Sequence, residues 1–156
     1  NGEYILDKKF KQNIEGANKH NIPVGIYFYS YADDVEHAIN DARWVLEQIK
    51  DYKVELPIVF DWENWDEFNE YKISFQKLND IAFSFISEIE KNGYISVLYS
   101  SKKYLDNIWF NNNYSVWLAH YTDKTNYNGE YNIWQICDNG LIDGIDTYVD
   151  IDIMYE

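Results

Sequence analysis

The chain has 156 residues, of which 46% are apolar and 19% aromatic, and its net charge is −14. This length is enough for one domain with a sizeable core, taken here as residues 1–156, and too short for two comfortable ones. The acidic balance argues against binding to nucleic acid or to an anionic membrane, and no apolar run is long enough to predict insertion into a bilayer.

Strands and helices alternate along most of the sequence. Asp7 and Asp33 are expected to cap the first two helices, the second in a capping box with Glu36, and Asn92-Gly93 is expected to end the third. The predicted buried face of the second helix consists of Val35, Ile39, Ala42, Leu46 and Ile49. The predicted elements are, in chain order, a helix at 7–20, a strand at 23–31, a helix from 33, a strand at 56–61, a helix at 75–89, a strand at 94–99, a helix at 101–109, and strands at 115–121, 131–136 and 148–154.

The order of these elements predicts a parallel α/β fold, because strands that alternate with helices form βαβ units. The apolar run at 56–61 supports this, since strands buried on both faces are typical of parallel sheets. Six strands are two fewer than a closed barrel has, so we expect a TIM-like barrel whose first one or two strands are missing from this chain. At about 25 residues per unit, roughly 35–50 residues would precede Asn1. A doubly wound open sheet is the alternative architecture.

The strongest local candidate for chemistry is the run Phe60-Asp61-Trp62-Glu63, at the end of the predicted strand 56–61. In parallel barrels, active sites lie at the carboxyl ends of the strands. Asp61 and Glu63 are expected to project to the same side, about 6.6 Å apart along the strand. Their repulsion is expected to raise the pKa of one of them, and one protonated and one ionised carboxyl group are what glycosidic cleavage requires. A solvated strand end is the alternative interpretation.

The same run resembles the D-x-E strand of family 25 of the glycoside hydrolases. Six further stretches resemble motifs of that family in the same order, and together they cover essentially the whole chain. No single motif is decisive, and the assignment depends on their joint order and spacing. The six stretches are Asp7-Lys8-Lys9-Phe10 with Asn13 and Ala17, Val24 to Ala32, Tyr99-Ser100-Ser101, Trp117 to Tyr121, Trp134-Gln135, and Val149-Asp150-Ile151-Asp152.

The resemblance implies a (β/α)5(β)3 barrel and a lysozyme-type N-acetylmuramidase, which cleaves the β-1,4 bond between N-acetylmuramic acid and N-acetylglucosamine in peptidoglycan. By position, Glu63 would be the general acid, and Asp61 would orient the substrate or stabilise charge at the reacting centre. The second step is compatible with an enzyme nucleophile or with the substrate's own acetamide group. The family also has an essential Asp in a D-[VIL]-S-x-x-Q-G motif on its first strand, and that motif is absent from this sequence.

Other aromatic and polar residues near strand ends are candidates for binding the sugar chain. Tyr29 and Tyr31 share a strand face with Tyr27, which is expected to lie in the core. Asp150 matches a site-lining Asp of the family, and it is expected to bind substrate because a metal site needs more ligands than Asp150 and Asp152. For each aromatic ring, a place in the core is the alternative, and no metal or cofactor is expected. The full set of candidate substrate-binding residues is Tyr29, Tyr31, Tyr99, Trp117, Tyr121, Trp134, Gln135 and Asp150.

The expected partner is the peptidoglycan polysaccharide, so the expected place of action is the bacterial cell wall or the extracellular space, as for an autolysin, a phage endolysin or an antimicrobial protein. A further wall-binding domain could lie outside this chain. Within the same class of enzyme, a family 18 chitinase is excluded because Leu56 and Val59 stand where its D-x-x-D-x-D-x-E motif has Asp. The absent first-strand Asp suggests two alternatives, a non-catalytic carbohydrate-binding barrel and an inactive truncated fragment.

Overall fold

A computed structural model describes residues 3–66, 68–110 and 114–155, so the ends of the predicted domain, Asn1 and Glu156, lie outside the described residues. The helix predicted at 101–109 is reduced to one turn. Beyond that turn, the backbone N–H groups of Ile108 and Trp109 share the carbonyl of Tyr104 as their acceptor. No helix within the described ranges is both long and apolar enough to cross a membrane. The elements are α1 (Phe10–Lys19), β1 (Ile26–Tyr29), α2 (Val35–Ile49), β2 (Ile58–Asp61), α3 (Phe68–Tyr71), α4 (Phe75–Lys91), β3 (Ser96–Ser101), α5 (Lys102–Leu105), β4 (Ser115–Ala119), β5 (Ile133–Gly140) and β6 (Val149–Met154).

The six strands form one sheet in the order β1-β2-β3-β4-β5-β6, and this sheet curls into half a barrel. The strands from β1 to β5 pair in parallel, whereas β6 pairs antiparallel with β5. The described strands never reverse their order, as those of the doubly wound alternative would. The prediction of a mixed α/β fold around a parallel sheet is therefore confirmed. The described residues form six strands, whereas a (β/α)5(β)3 barrel has eight, so that finer description stays a prediction.

The core lies between the sheet and the two long helices, α2 and α4. All four residues of β2 are buried, as its apolar run predicted. Phe85 of α4 packs against Phe28 of β1 and Phe60 of β2, with ring centroids 5.9 Å and 5.2 Å apart. Each large apolar side chain buried in this way contributes about 1.5–3 kcal/mol to stability. The packing therefore holds β1 and β2 at a fixed position on the helical layer.

The helix α2 begins one residue later than its predicted cap implies. Asp34 is the N-cap residue, and its Oδ1 accepts a hydrogen bond from the backbone N–H of His37 at 2.7 Å. The prediction that Asp33 caps this helix is therefore wrong. A capping box also requires an acidic residue at the third helical position, and Glu36 occupies the second.

The buried face of α2 also differs from the predicted one. Val35 is 37% exposed, and Ile39 and Leu46 are only half-buried. The prediction fails because a carboxylate, Asp41, occupies the middle of the buried face, and a search for apolar periodicity cannot select it. The buried residues of α2 are Ala38, Asp41, Ala42, Val45 and Ile49.

The ends of the other helices follow the predicted signals in part. Lys9 is the N-cap residue of α1, and its side chain makes no capping hydrogen bond. Asp7 stabilises the preceding turn, since its Oδ1 accepts the backbone N–H of Lys9 at 2.6 Å. At the end of α4, Asn92-Gly93 stops the helix as predicted, and Gly93 has a φ of +87°, which residues other than glycine rarely adopt.

Candidate active site

The carboxyl end of β2 carries the two predicted catalytic carboxylates. Asp61 is the last residue of β2 and is 8% exposed, whereas Glu63 is exposed. Between them, Trp62 is fully buried, and its ring contacts that of Trp65 edge-on with centroids 4.9 Å apart. The indole ring of Trp62 therefore anchors the segment that joins the two carboxylates to the core.

Asp61 and Glu63 interact electrostatically. Burial raises the pKa of Asp61 to about 8, and the negative charge of Glu63 adds to the rise. Burial also raises the pKa of Glu63. Oδ1 of Asp61 is buried without a hydrogen-bond partner among the described residues, so no donor there compensates its charge. At neutral pH the site therefore holds a proton on Asp61 beside a carboxyl group that is open to solvent.

The predicted tyrosines of β1 lie beside these carboxylates. Tyr29 is paired in register with Asp61, and Tyr31 follows it, with the two phenol rings 5.2 Å apart. The pKa of Tyr29 is raised to about 12, first by burial and then by the charge of Glu63. Both rings are exposed, so they form an aromatic surface next to the carboxylates.

Tyr99 and Tyr121 converge on Gln135. Each tyrosine hydroxyl donates to Oε1 of Gln135 at 2.9 Å. Tyr99 is the partner of Asp61 in the register of β2 and β3, so this cluster lies on the side of the carboxylates opposite to β1. Burial raises the pKa of Tyr99 above its ordinary value, and the charges of nearby acidic side chains, including Glu63, contribute. The two hydroxyls together fix the orientation of the Gln135 amide.

Trp117 is held by a carboxylate of β6. Its Nε1 donates to Oδ1 of Asp152 at 2.7 Å, and its ring lies edge-on to Tyr99 with centroids 5.3 Å apart. Burial raises the pKa of Asp152, although the bond from Trp117 opposes this. Sequence reasoning favoured the neighbouring Asp150, which is exposed and influences Asp152 through its charge. The alternation in β6 placed both residues on one face, but only the register with β5 brings Asp152 opposite Gln135.

The structure decides between the interpretations of Trp134 and overturns the one for Tyr27. Trp134 is buried in the core, and its Nε1 donates to the backbone carbonyl of His120 at 2.9 Å. The structure therefore places this ring in the core, which is one of its two predicted positions. Tyr27, expected in the core, is 68% exposed, and that expectation is wrong. Its strand β1 is at the edge of the sheet, so no strand in the described part of the chain covers its free side.

Two further groups beside the carboxylates had no role in the sequence-based prediction. Asn64 follows Glu63, and its Nδ2 donates to the backbone carbonyl of Ser30 at 3.1 Å. Ser30 in turn donates its backbone N–H to the carbonyl of Asp61 at 2.7 Å. Contacts of this kind depend on the pairing of β1 with β2, which no local pattern in the sequence specifies.

A wide groove of about 1480 Å³ runs along the free side of β1, between α1 and α2. Tyr27, Tyr29 and Tyr31 line it, but Asp61 and Glu63 do not. Within the described ranges, no group of three or more His, Cys, Asp or Glu side chains could hold a metal ion. The candidate site is therefore the carboxylate pair with its flanking tyrosines, and the groove adjoins it at one end.

The sequence model of glycosyl hydrolases family 25 matches residues 1–145 of the chain. The uncharacterized protein YegX of Escherichia coli strain K12 is 27% identical over 157 residues, which cover 97% of this chain and 55% of YegX. The chain therefore spans about half the length of the curated relatives it matches.

Solved structures show the same similarity. The modular autolysin LytC from Streptococcus pneumoniae is 29% identical, with a TM-score of 0.76, over 97% of this chain and 38% of LytC. A second structure of LytC, in complex with a synthetic peptidoglycan ligand, is 28% identical with a TM-score of 0.77 over the same shares. The spore cortex lytic enzyme SleM from Clostridium perfringens shares the fold at 20% identity, with a TM-score of 0.79 over 97% of this chain and 55% of SleM.

Proposed function

Because the chain belongs to family 25 of the glycosyl hydrolases, we propose that its protein hydrolyses bacterial peptidoglycan as a lysozyme-type muramidase. The bond cleaved is the β-1,4 bond between N-acetylmuramic acid and N-acetylglucosamine. The observation that carries this proposal is the pair of carboxyl groups at the end of β2, of which Asp61 is buried with a raised pKa and Glu63 is exposed. The synthetic peptidoglycan ligand bound by LytC supports the choice of substrate.

In the proposed mechanism, Glu63 is the general acid that protonates the leaving oxygen. Its exposure allows contact with a bound polysaccharide, and its raised pKa favours retention of the proton that it must donate. Asp61 orients the substrate or, once ionised, stabilises charge at the reacting centre. In the free protein burial raises the pKa of Asp61 to about 8, so at neutral pH it holds a proton and can donate a hydrogen bond to the substrate.

The residues around this pair are proposed to bind the sugar chain. Tyr29 and Tyr31 offer exposed rings on which a sugar face can stack. Gln135 is buried and holds the hydroxyls of Tyr99 and Tyr121, of which Tyr121 is exposed and offers a fixed polar group for a substrate hydroxyl or acetamide. On the same side of the site, Trp117 and Asp150 extend the proposed binding surface.

The proposed place of action is the cell wall, reached by export or by release from a lysed cell. LytC is an autolysin with a structure in complex with a synthetic peptidoglycan ligand, and SleM is a spore cortex lytic enzyme, which supports this place of action. We also propose that the same protein carries a wall-binding domain outside this chain.

The test of function is mass spectrometry of the soluble fragments that the full-length protein releases from purified peptidoglycan. Fragments with N-acetylmuramic acid at the reducing end are expected. Fragments with N-acetylglucosamine at the reducing end would replace the muramidase with a glucosaminidase. Binding to the wall without any release of fragments would favour the non-catalytic carbohydrate-binding alternative.

The role of Glu63 is tested by Glu63→Gln in the same assay. Loss of a general acid is expected to lower kcat by at least about 10²-fold, while binding to the wall stays within about twofold of the parent protein. The matched control is Glu90→Gln, an exposed residue at the end of α4, which is expected to keep full activity. Full activity of Glu63→Gln would remove Glu63 from the mechanism.

A further inference from the structure

Ser30 connects β1 to both sides of the catalytic segment. It follows the last residue of β1 and is fully buried. Its backbone N–H donates to the carbonyl of Asp61 at 2.7 Å, and its own carbonyl accepts from Nδ2 of Asn64 at 3.1 Å. These two bonds hold the residues immediately before and after Trp62 and Glu63.

The side chain of Ser30 is fixed by Asp41, a residue of α2. Oγ of Ser30 donates to Oδ2 of Asp41 at 2.8 Å and accepts the backbone N–H of Ala32 at 3.1 Å. The carbonyl of Ala32 accepts from Nε1 of Trp62 at 3.3 Å. A continuous set of hydrogen bonds therefore runs from the carboxylate of Asp41 to the residues on either side of Glu63.

The surroundings of Asp41 are unfavourable for a charge. The residue is 1% exposed, and its Oδ1 has no hydrogen-bond partner among the described residues. His37 of α2 places its Nε2 3.6 Å from this oxygen, and the side chain of Tyr4 in the N-terminal segment forms a hydrogen bond with the carboxyl group. A buried carboxyl group without full compensation destabilises a fold. Replacing a buried charge with an apolar side chain of similar volume is often neutral or stabilising, so a positioning role accounts for the carboxylate better than stability does.

We infer that Asp41 is a positioning residue for the reaction: its carboxylate fixes Ser30, and Ser30 fixes the segment that presents Glu63. This inference rests on the proposed function for its effect on turnover. Its structural part, the restraint of the segment after β2, holds independently of the substrate. A displacement of about 1 Å at a catalytic group can cost up to about 10²-fold in rate, so small losses of restraint are measurable.

The test compares Asp41→Ala, Asp41→Asn and Ser30→Ala in the full-length protein. Asp41→Asn keeps an oxygen that accepts the bond from Ser30, and it places the amide nitrogen where Oδ1 now lacks a partner. The control is Ser96→Ala, which removes a buried hydroxyl bonded to the carbonyl of Ile58 at the opposite end of β2. We expect Asp41→Ala and Ser30→Ala to lower kcat about 10–100-fold with KM within about twofold. Asp41→Asn and Ser96→Ala are expected to retain kcat within about threefold.

Amide hydrogen exchange at Ser30, followed by NMR, gives a readout that needs no substrate. Its N–H is expected to exchange at least about tenfold faster in Asp41→Ala than in the parent protein and Asp41→Asn, because its restraint is lost. Unchanged exchange in Asp41→Ala would overturn the inference even if the protein proved inactive on peptidoglycan. Equal losses of kcat in Asp41→Asn and Asp41→Ala would also overturn the inference, because turnover would then not depend on the hydrogen bond from Ser30. If Asp41→Ala fails to fold, the same comparison is made with Ser30→Ala, whose Ala32 N–H is expected to exchange faster.

Discussion

Asp61 combines burial, an unpartnered oxygen and a neighbouring carboxylate in one side chain. Burial, and then the charge of Glu63, penalise its ionised form and raise its pKa from the ordinary 3.8 to about 8, and no donor to Oδ1 among the described residues opposes them. When the pKa of a carboxyl group is higher in the folded chain than in the unfolded chain, the fold is most stable at low pH, where both states keep the proton. Between about pH 4 and pH 8 the unfolded chain loses this proton first, so the free energy of unfolding falls as pH rises.

We therefore expect Asp61→Asn to raise the melting temperature relative to the parent protein at pH 8 and above. The neutral amide has nearly the same shape and never acquires the buried charge. The difference is expected to be at least about 3 °C at pH 8, since 1 kcal/mol shifts the melting temperature of a chain of this size by about 2–4 °C. Near pH 4 the difference should be small, because Asp61 is protonated in the folded chain and only about half ionised in the unfolded chain.

The control for this comparison is Asp123→Asn, which removes an exposed carboxylate in the segment between β4 and β5. Calorimetric melting temperatures of all three proteins from about pH 4 to pH 9 test the expectation. A difference between Asp61→Asn and the parent protein that stays constant over this range would show that Asp61 does not titrate in it.

Sequence reasoning located the candidate residues of the site better than their contacts. Asp61 and Glu63 were found because a buried strand ends in them, which is a local signal. The bonds from Tyr99 and Tyr121 to Gln135 depend on the register of β3, β4 and β5, and such register is not encoded locally. Asp41 was missed because a buried carboxylate on an amphipathic helix looks, in sequence, like a solvent-facing residue. Ser30 was missed with it, because its role depends on the hydrogen bond to Asp41.

At the scale of the elements, the two adjacent aspartates at the start of α2 have different roles. Asp34 caps the helix through the backbone N–H of His37, whereas Asp33 contacts only the His37 ring at 3.3 Å in the described structure. Asp34→Ala is expected to lower the free energy of unfolding by about 1 kcal/mol, the usual cost of a lost N-cap. Asp33→Ala is expected to cost less, because exposed ion pairs contribute little.

Urea denaturation of the two alanine variants measures both values side by side. Because Asp33 and Asp34 are both exposed and adjacent, each serves as the control for the other. A larger loss of stability in Asp33→Ala than in Asp34→Ala would contradict the assignment of the cap.

Most elements were predicted in type and order, and the errors concern their ends and the short helix α3, which was not predicted. Strand β2 and helix α4 were predicted correctly because each has a long, uniform apolar pattern. The strand predicted at 23–31 shortens to β1, and the helix predicted at 101–109 shortens to α5. Just beyond β1, Ser30 bonds to Asp41 and Asn64, and beyond α5 the ring of Trp109 bonds to Ser100, contacts that propensity alone cannot predict.

At the scale of the whole molecule, the two outer strands of the sheet expose their free edges. Within the described part of the chain, β1 and β6 each pair with only one neighbour. Exposed apolar side chains accompany both edges, including Tyr27 on β1 and Ile153 on β6. Free edges of this kind favour association between chains, whereas the net charge of −14 opposes it through repulsion.

We therefore expect self-association of this chain to increase with salt, because screening weakens the repulsion and leaves the edges unchanged. Sedimentation velocity at about 0.05 M and about 0.5 M salt measures the effect, since the screening length falls from well above 10 Å to a few Å over this range. Ile153→Lys places a charge on the edge strand β6 and is expected to reduce association at high salt. Ile22→Lys, which charges an exposed position just after α1, is the control and should leave association unchanged. Association that is equal at both salt concentrations, or equally reduced by both lysines, would show that the edges of the sheet do not drive it.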